Sequence, residues 1–409
     1  MRIIWLCHYF APEVGAPQAR LLEMSRVFHA EGHSVAAVTC FPNHPTGEMQ
    51  PEDRGVWKRR DEIDGIAVHR CRSYVTPNRG FVKKLLGHLS FMWTGYFGLS
   101  RAAREQRPDV VIVSSPTFFA VLTAWWWCLW HGVPYVFEVR DLWPAVFVEL
   151  GVLKNRLVIV CLEWMELFLY RRAALVVPVT RTFADDIAER GIPREKLHVV
   201  TNGVDAERYA PTDDPAPRTA ELSGKFVVLY LGAHGISHAL ERILEAAAAL
   251  KDVPDVHFVF VGDGAKKLAL VEQVAERGLT NVTFHGSVPK DDVPGWYAQA
   301  DVGLVPLRDV DIFKTFIPSK LFELLAAGVP IVASVAGEAA SILQDSGGAL
   351  VVDPENVADI AAAIRRLHDE PQLRAELRTH GTAFVRAHYT REQLAGDYLT
   401  ALAPLERSS

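Results

Sequence analysis

What most limits the fold of this chain is an alternation of short, wholly apolar runs with longer amphipathic stretches, and the fact that the alternation starts again halfway. The runs at 2–6, 34–39, 67–70, 110–113, 135–138 and 175–178 show no regular polar face, so each reads as a strand covered on both sides. Amphipathic stretches at 19–32, 82–105 and 155–172 supply the crossovers between them. The series resumes with Phe226-Val227-Val228-Leu229-Tyr230-Leu231, a helix over about 239–250, and strands at 256–261, 282–285, 302–305, 331–333 and 349–352. This pattern predicts two doubly wound α/β domains facing each other across a cleft, with their sites at the carboxyl ends of the strands.

The segment 210–217, rich in proline and acid, carries no apolar period and marks a linker. It divides the chain into a first domain over 1–205 and a second over 206–389, while the last helix, within 390–409, is apolar on one face and is expected to pack back on the first domain. A length of 409 residues suits two cores of about 200 residues each. The net charge of −6 provides no field to hold a polyanion, and no basic run is long enough to compensate, which argues against nucleic acid as a partner. Five scattered cysteines (Cys7, Cys40, Cys71, Cys128 and Cys161) form no Cys-x-x-Cys pair and fit a reducing, cytoplasmic setting. The first apolar run stops at His8 without a small-residue cleavage site and reads as a strand rather than a signal. The charge-free stretch 110–137 is cut by Ser114-Ser115-Pro116 and His131-Gly132-Val133-Pro134, leaving a middle piece of about 14 residues, short of the roughly 20 a spanning helix requires.

The most pointed cluster is Pro318-Ser319-Lys320-Leu321-Phe322-Glu323. Pro318 and Ser319 suit the opening of a helix that Gly328 closes. Ser319, Lys320 and Glu323 then share one face, while Leu321, Leu324 and Leu325 turn to the sheet. A lysine at a helix start favours phosphate, and a carboxylate one turn on accepts hydrogen bonds from a diol such as ribose. The glycine-bearing loop Leu231-Gly232-Ala233-His234-Gly235 follows the strand that opens the second domain, where glycine lets the backbone approach a phosphate. An ordinary amphipathic surface helix with an i,i+3 Lys/Glu pair is the bland alternative.

Together with Pro42-Asn43-His44-Pro45, Phe137-Glu138-Val139-Arg140-Asp141-Leu142-Trp143-Pro144, Thr201-Asn202-Gly203-Val204-Asp205, Gly262-Asp263-Gly264 and Ile317-Pro318-Ser319-Lys320, these residues resemble a family 4 glycosyltransferase. The resemblance covers nearly the whole chain and is strongest to the O-antigen and capsule transferases of the WbuB type, usually associated with N-acetyl-L-fucosamine. It implies the GT-B fold, with two Rossmann-like domains. It also implies a retaining, metal-independent transfer, without a cofactor, from a nucleoside diphosphate sugar held mainly by the second domain, UDP being the first choice of nucleotide and GDP the second. Glu323 falls on the second, ribose-holding glutamate of the family's Glu-x7-Glu motif, but Thr315 stands where the first is expected. The arginine usual after the first strand of that domain is missing from 232–235, leaving Lys314, Lys320 and His234 as the available substitutes. The resemblance places Gly15, in the turn after the first strand, beside the donor phosphates or the acceptor.

In the first domain, Glu138, Arg140 and Asp141 stand just past a strand end, where three charges amid apolar sequence are costly unless paired or used. Asp141 or Glu138 is expected to orient or deprotonate an acceptor hydroxyl, with Arg140, at a position where the family usually shows histidine, offsetting phosphate charge. An Arg/Asp pair that only ties the loop down is the alternative. Asn43 and His44 are candidate acceptor contacts. Asp309-Val310-Asp311 resembles a metal-holding pair, yet loop acids beside Lys314 read more simply as solvated charges. Lys83, Lys84, Arg101, Arg104 and Arg107 with Trp93, Tyr96 and Phe97, and then Trp164 and Phe168 near Arg171 and Arg172, suit either core helices with solvated ends or contact with the inner face of a membrane. The acceptor expected is a small molecule or a lipid-linked one. A nucleotide-sugar 2-epimerase and a non-catalytic sugar-nucleotide-binding protein stay open as alternatives on the same fold.

Overall fold

The computed structural model describes residues 1–13, 15–43, 47–76, 81–115, 118–149, 151, 153–211 and 218–407. The chain divides into two compact units, one made of Met1–Thr201 and the chain from Arg391 on, the other of Asn202–Thr390.

The sheet of the first unit contains β1 (Arg2–Leu6), β2 (Ser34–Cys40), β3 (Lys58–Ile63), β4 (Ile66–Cys71), β5 (Val110–Ser114), β6 (Tyr135–Val139) and β7 (Leu175–Pro178), in the order β3-β4-β2-β1-β5-β6-β7. All neighbours run parallel except β3, which pairs antiparallel with β4. Its helices are α1 (Ala16–Ala30), α2 (Phe81–Gln106), α3 (Phe118–His131), α4 (Ala145–Glu149), α5 (Arg156–Arg172) and α6 (Arg181–Glu189). The wholly apolar runs became the inner strands, as a sheet covered on both faces requires. Strand β3 was not anticipated, because Lys58-Arg59-Arg60-Asp61-Glu62-Ile63 is charged in five of six positions and lies at the sheet's edge. Those charges find partners in kind: Arg59 pairs with Asp53 and Asp61, and buried Arg70 donates to Asp61 at 2.6 Å. A charged edge strand also resists pairing with another chain.

The second unit holds β8 (Phe226–Leu231), β9 (Val256–Val261), β10 (Val282–His285), β11 (Val302–Pro306), β12 (Ile331–Ser334) and β13 (Ala349–Val352), all parallel, in the order β10-β9-β8-β11-β12-β13. Its helices are α7 (Leu240–Ala249), α8 (Lys267–Glu276), α9 (Val293–Ala298), α10 (Lys320–Ala326), α11 (Glu338–Ser346), α12 (Val357–Asp369) and α13 (Pro371–His388). The order reverses between β8 and β11, which opens a crevice at their carboxyl ends. The last helix, α14 (Arg391–Leu402), belongs to the first unit. Its Tyr398 ring stands edge-on to Trp5 of β1 at 6.0 Å and to Phe28 of α1 at 5.9 Å, and its Arg391 meets Glu23 of α1 at 2.8 Å. No helix among the described residues is long and apolar enough to cross a membrane.

One buried ion pair ties the first unit together at the end of β6. Glu138 has no exposed surface. Its carboxylate accepts from the Arg20 guanidinium of α1 at 3.2 and 3.3 Å and from Ser114 Oγ at 2.8 Å. The same guanidinium donates to the carbonyls of Val200 and Thr201, at 2.8 and 2.5 Å. Removing one partner strands a buried charge, so Arg20→Met should lower stability by about 3–5 kcal/mol in urea unfolding, while Arg20→Met with Glu138→Met should recover most of the loss.

Candidate functional site

In the second unit, β8 ends at Leu231 and the chain turns through Gly232, Ala233, His234 and Gly235. Gly232 has φ of 146°, and a Cβ there would stand 2.7 Å from Lys320 Nζ. Gly262, past the neighbouring β9, has φ of 141° and would place a Cβ 2.0 Å from the Gly232 carbonyl oxygen. Two strand ends thus approach each other, and a lysine, more closely than side chains allow.

The lysine is presented by α10. Leu321, Phe322, Leu324 and Leu325 are buried, and Ser319 occupies the cap position without a side-chain capping bond. Lys320 Nζ is buried, finds no hydrogen-bond partner among the described residues, and lies 3.8 Å from the centroid of the Tyr230 ring. Loss of hydration pulls its pKa down to about 7, with the charge of Glu323 acting in the opposite direction. Glu323, one turn on, accepts a hydrogen bond from Tyr297 Oη at 2.8 Å. His234 has no exposed surface and neither ring nitrogen has a hydrogen-bond partner among the described residues. Burial first, then the charges of Lys267 and Lys320, push its pKa down to about 4, so it is a neutral imidazole at pH 7. An ammonium and an imidazole left without acceptors are costly in an empty protein and suit an anionic guest.

The structure therefore brings together Gly232, His234, Lys320 and Glu323. Ser319 adjoins Lys320, and Gly235 opens the next turn. Thr315 is half-buried and its hydroxyl donates to the Ile312 carbonyl at 2.6 Å. Lys314 is not part of the cluster: it is exposed and pairs with Asp311 at 2.7 Å. That pairing occupies Asp311 of the Asp309-x-Asp311 segment, and no group of three His, Cys, Asp or Glu residues placed to hold a metal occurs among the described residues. Tyr230 and Tyr297 were missed in the sequence, where a tyrosine in an apolar run signals only burial. Tyr230 Oη braces the turn by donating to the Ala233 carbonyl at 2.7 Å.

In the first unit, Gly15 caps α1 in an extended conformation. Asn43 donates its backbone N–H to Glu13 Oε1 at 2.7 Å, and Phe10 donates its own to Glu13 Oε2 at 3.3 Å. Glu13, also missed in the sequence, thereby ties the loop after β1 to the loop after β2. His44 lies outside the described residues. Past β6, the backbone N–H of Arg140 donates to Ser115 Oγ at 2.8 Å. Arg140 Nη1 is buried without a hydrogen-bond partner among the described residues, and burial lowers the guanidinium's pKa to about 10, against the pull of Glu138. Burial raises the pKa of Asp141, opposed by the charge of Arg140. No hydrogen bond or ion pair holds the Asp141 carboxylate among the described residues, so a simple Arg140–Asp141 tie is not what forms. The expectation that Glu138 meets an acceptor needs correction: Arg20 and Ser114 occupy its buried carboxylate, and its part is to hold the strand end.

Residues 15–203 match the family described as Glycosyl transferase 4-like domain, and residues 225–370 match Glycosyl transferases group 1. The putative colanic acid biosynthesis glycosyl transferase WcaI of Escherichia coli (strain K12) is 28% identical over 377 residues, covering 90% of this chain and 92% of its own. Among solved structures, sucrose-phosphate synthase of Thermosynechococcus elongatus superposes with a TM-score of 0.73 at 17% identity, over 99% of both chains. HepE of Anabaena, in complex with UDP and glucose, superposes with a TM-score of 0.71 at 17% identity, over 98% of this chain and 99% of its own. These likenesses identify the fold as GT-B.

A diphosphate set against Lys320 favours the ammonium, so above pH 7 the complex holds more protons than the empty site. Affinity for a nucleoside diphosphate should accordingly fall as pH rises through about 7. Calorimetry at pH 8 in buffers of different protonation enthalpy should register proton uptake on binding, absent in Lys320→Met.

Proposed function

The chain is a glycosyltransferase of GT-B fold, a 4-like domain followed by a group 1 domain, and on that footing we propose that it moves a sugar from a UDP donor, with retention of configuration, to a hydroxyl of a lipid-linked glycan. The observation that carries the reading is the unpaired, buried ammonium of Lys320 against the glycine turn 232–235. HepE was solved with UDP and glucose, which supports the choice of nucleotide, and WcaI is assigned to colanic acid biosynthesis, which supports a polysaccharide context.

In this reading Lys320, neutral His234 and the backbone N–H of Gly235 meet the diphosphate as charge builds on the leaving group, and Gly232, whose own N–H donates to the Val261 carbonyl at 2.9 Å, leaves the room for its approach. Ser319 adds a hydroxyl at the same helix end. Glu323, oriented by Tyr297, accepts from the ribose diol. Thr315 faces the sugar, in the place where the broader family carries a glutamate, and Lys314 lies beside it on an outer turn. On the acceptor side Asp141 holds the attacking hydroxyl and takes its proton, Arg140 compensates phosphate charge, and Asn43 and the Gly15 turn border the acceptor. Charge compensation comes from these cations, with neither a metal nor a cofactor in the reaction. The WbuB-type resemblance puts UDP-N-acetyl-L-fucosamine first among donors, and the reaction takes place on the cytoplasmic side.

A thermal-shift panel of UDP, GDP and TDP with their sugars tests the reading: UDP compounds should raise the melting temperature most, and no response to any would remove it. Lys320→Ala should weaken UDP binding by roughly 10- to 100-fold, about 1.5–3 kcal/mol for a lost charged hydrogen bond. Asp141→Asn should leave donor binding intact and reduce turnover by roughly 10²- to 10⁴-fold. Near-normal turnover would clear Asp141 of the catalytic part, and donor conversion without acceptor would point to an epimerase. Thr315→Glu should alter sugar selectivity more than UDP affinity.

A further inference from the structure

Helices α2, α3 and α5 lie side by side in the first unit, and their outer side is unlike an ordinary crossover layer. Helix α3, Phe118-Phe119-Ala120-Val121-Leu122-Thr123-Ala124-Trp125-Trp126-Trp127-Cys128-Leu129-Trp130-His131, contains no acidic residue, lysine or arginine. Ala120, Val121, Ala124, Trp127 and Cys128 satisfy the core, yet Trp126, Leu129 and Trp130 are turned outward, Trp130 being 69% exposed. A helix that is apolar all round has a second apolar neighbour to find.

The surface continues on both sides of α3. On α2, Trp93 and Phe97 are exposed and, with Met92, Tyr96, Leu122 and Trp126, border a groove of about 380 Å³. On the other side Trp125 meets Phe168 of α5 edge-on at 5.1 Å, and Phe168 stacks on exposed Trp164 at 5.7 Å. Leu157 and Val160 extend this stripe along α5 and are exposed in turn.

Basic residues stand at the ends of the apolar stripes. The line through Trp93 and Phe97 runs on, at spacings of four and three residues, past half-buried Arg101, which donates to Cys71 Sγ at 3.4 Å, to exposed Arg104. Lys154 and Arg156 open α5, and Arg171 and Arg172 close it, the Arg172 guanidinium lying over the Phe168 ring at 5.5 Å. Glu163 is an exposed acid on the same helix. Amphipathic indoles within a cationic margin are complementary to a bilayer interface with anionic phosphates. A second copy of the chain would bring one arginine margin against another.

We propose that the outer face of α2, α3 and α5 docks on a bilayer containing anionic lipid. The tryptophans sit at headgroup depth and the basic helix ends lie on phosphates. The proposal deepens the proposed function, since it rests on the reading of the acceptor as lipid-linked and says where that acceptor is met. Vesicle binding is measured without turnover, so the failure of one reading is distinguishable from the failure of the other.

Co-sedimentation of the full chain with vesicles of phosphatidylglycerol and phosphatidylethanolamine, and with phosphatidylcholine alone, provides the test. Binding should be roughly tenfold or more stronger on the anionic vesicles and should weaken in high salt. Brominated acyl chains should quench tryptophan emission. W126S with W130S should reduce binding by at least roughly tenfold with UDP affinity and the thermal transition unchanged, whereas W57S, exposed elsewhere beside Arg72, should bind as the parent does. Absence of vesicle binding would overturn the proposal, as would binding that ignores the W126S/W130S change. Concentration-dependent self-association in solution that the same pair of changes abolishes would assign the face to a second copy and overturn it equally.

Discussion

Two parallel strands whose connections leave in opposite directions separate at their carboxyl ends, and the second unit is organised around that separation between β8 and β11. The glycine turn follows one of these strands, and the segment leading to α10 follows the other. The strands are held in register at Val228–Val302 and Leu229–Gly303 and part beyond, and in the space that opens Lys320 Nζ comes against Gly232. The buried apolar side of α10 sets the rotation that brings Lys320 to the turn and Glu323 to Tyr297.

Buried charge is treated in two contrasting ways. Glu138 is enclosed, yet each oxygen has a donor, and the pair with Arg20 joins α1, β6 and the segment at Val200 and Thr201. Lys320 Nζ and Arg140 Nη1 are enclosed and have no hydrogen-bond partner among the described residues. The first arrangement stabilises a scaffold. The second holds an unfavourable state that an anion relieves, which is how a site gains binding energy from a guest rather than from its own neighbours.

Much of this was legible because apolar runs and helix signals act locally. The inner strands, the start of α10 and the shared face of Lys320 and Glu323 all follow from spacing within a few residues. Strand β3 was hidden because an edge strand half in water has no apolar signature, its charges being balanced by Asp53 and Arg70, which come from other segments. The part played by Glu138 was hidden for a similar reason: its partner Arg20 is 118 residues away in sequence, so charge at a strand end read as function when it was structure. Tyr230 and Tyr297 act through single hydroxyl groups whose acceptors only the folded chain brings near.

Helix α14 gives the first unit a history as well as a shape. Trp5 and Phe28 precede the second unit in the chain and wait for Tyr398, which is made after the whole of that unit. At translation rates of about 5–20 residues per second, the stretch from Phe28 to Tyr398 takes roughly 20–75 s. Throughout it the nascent first unit displays an unfinished aromatic face, while the second, continuous in sequence, has all it needs to close. The unit that comes earlier in the chain is therefore the last to be completed.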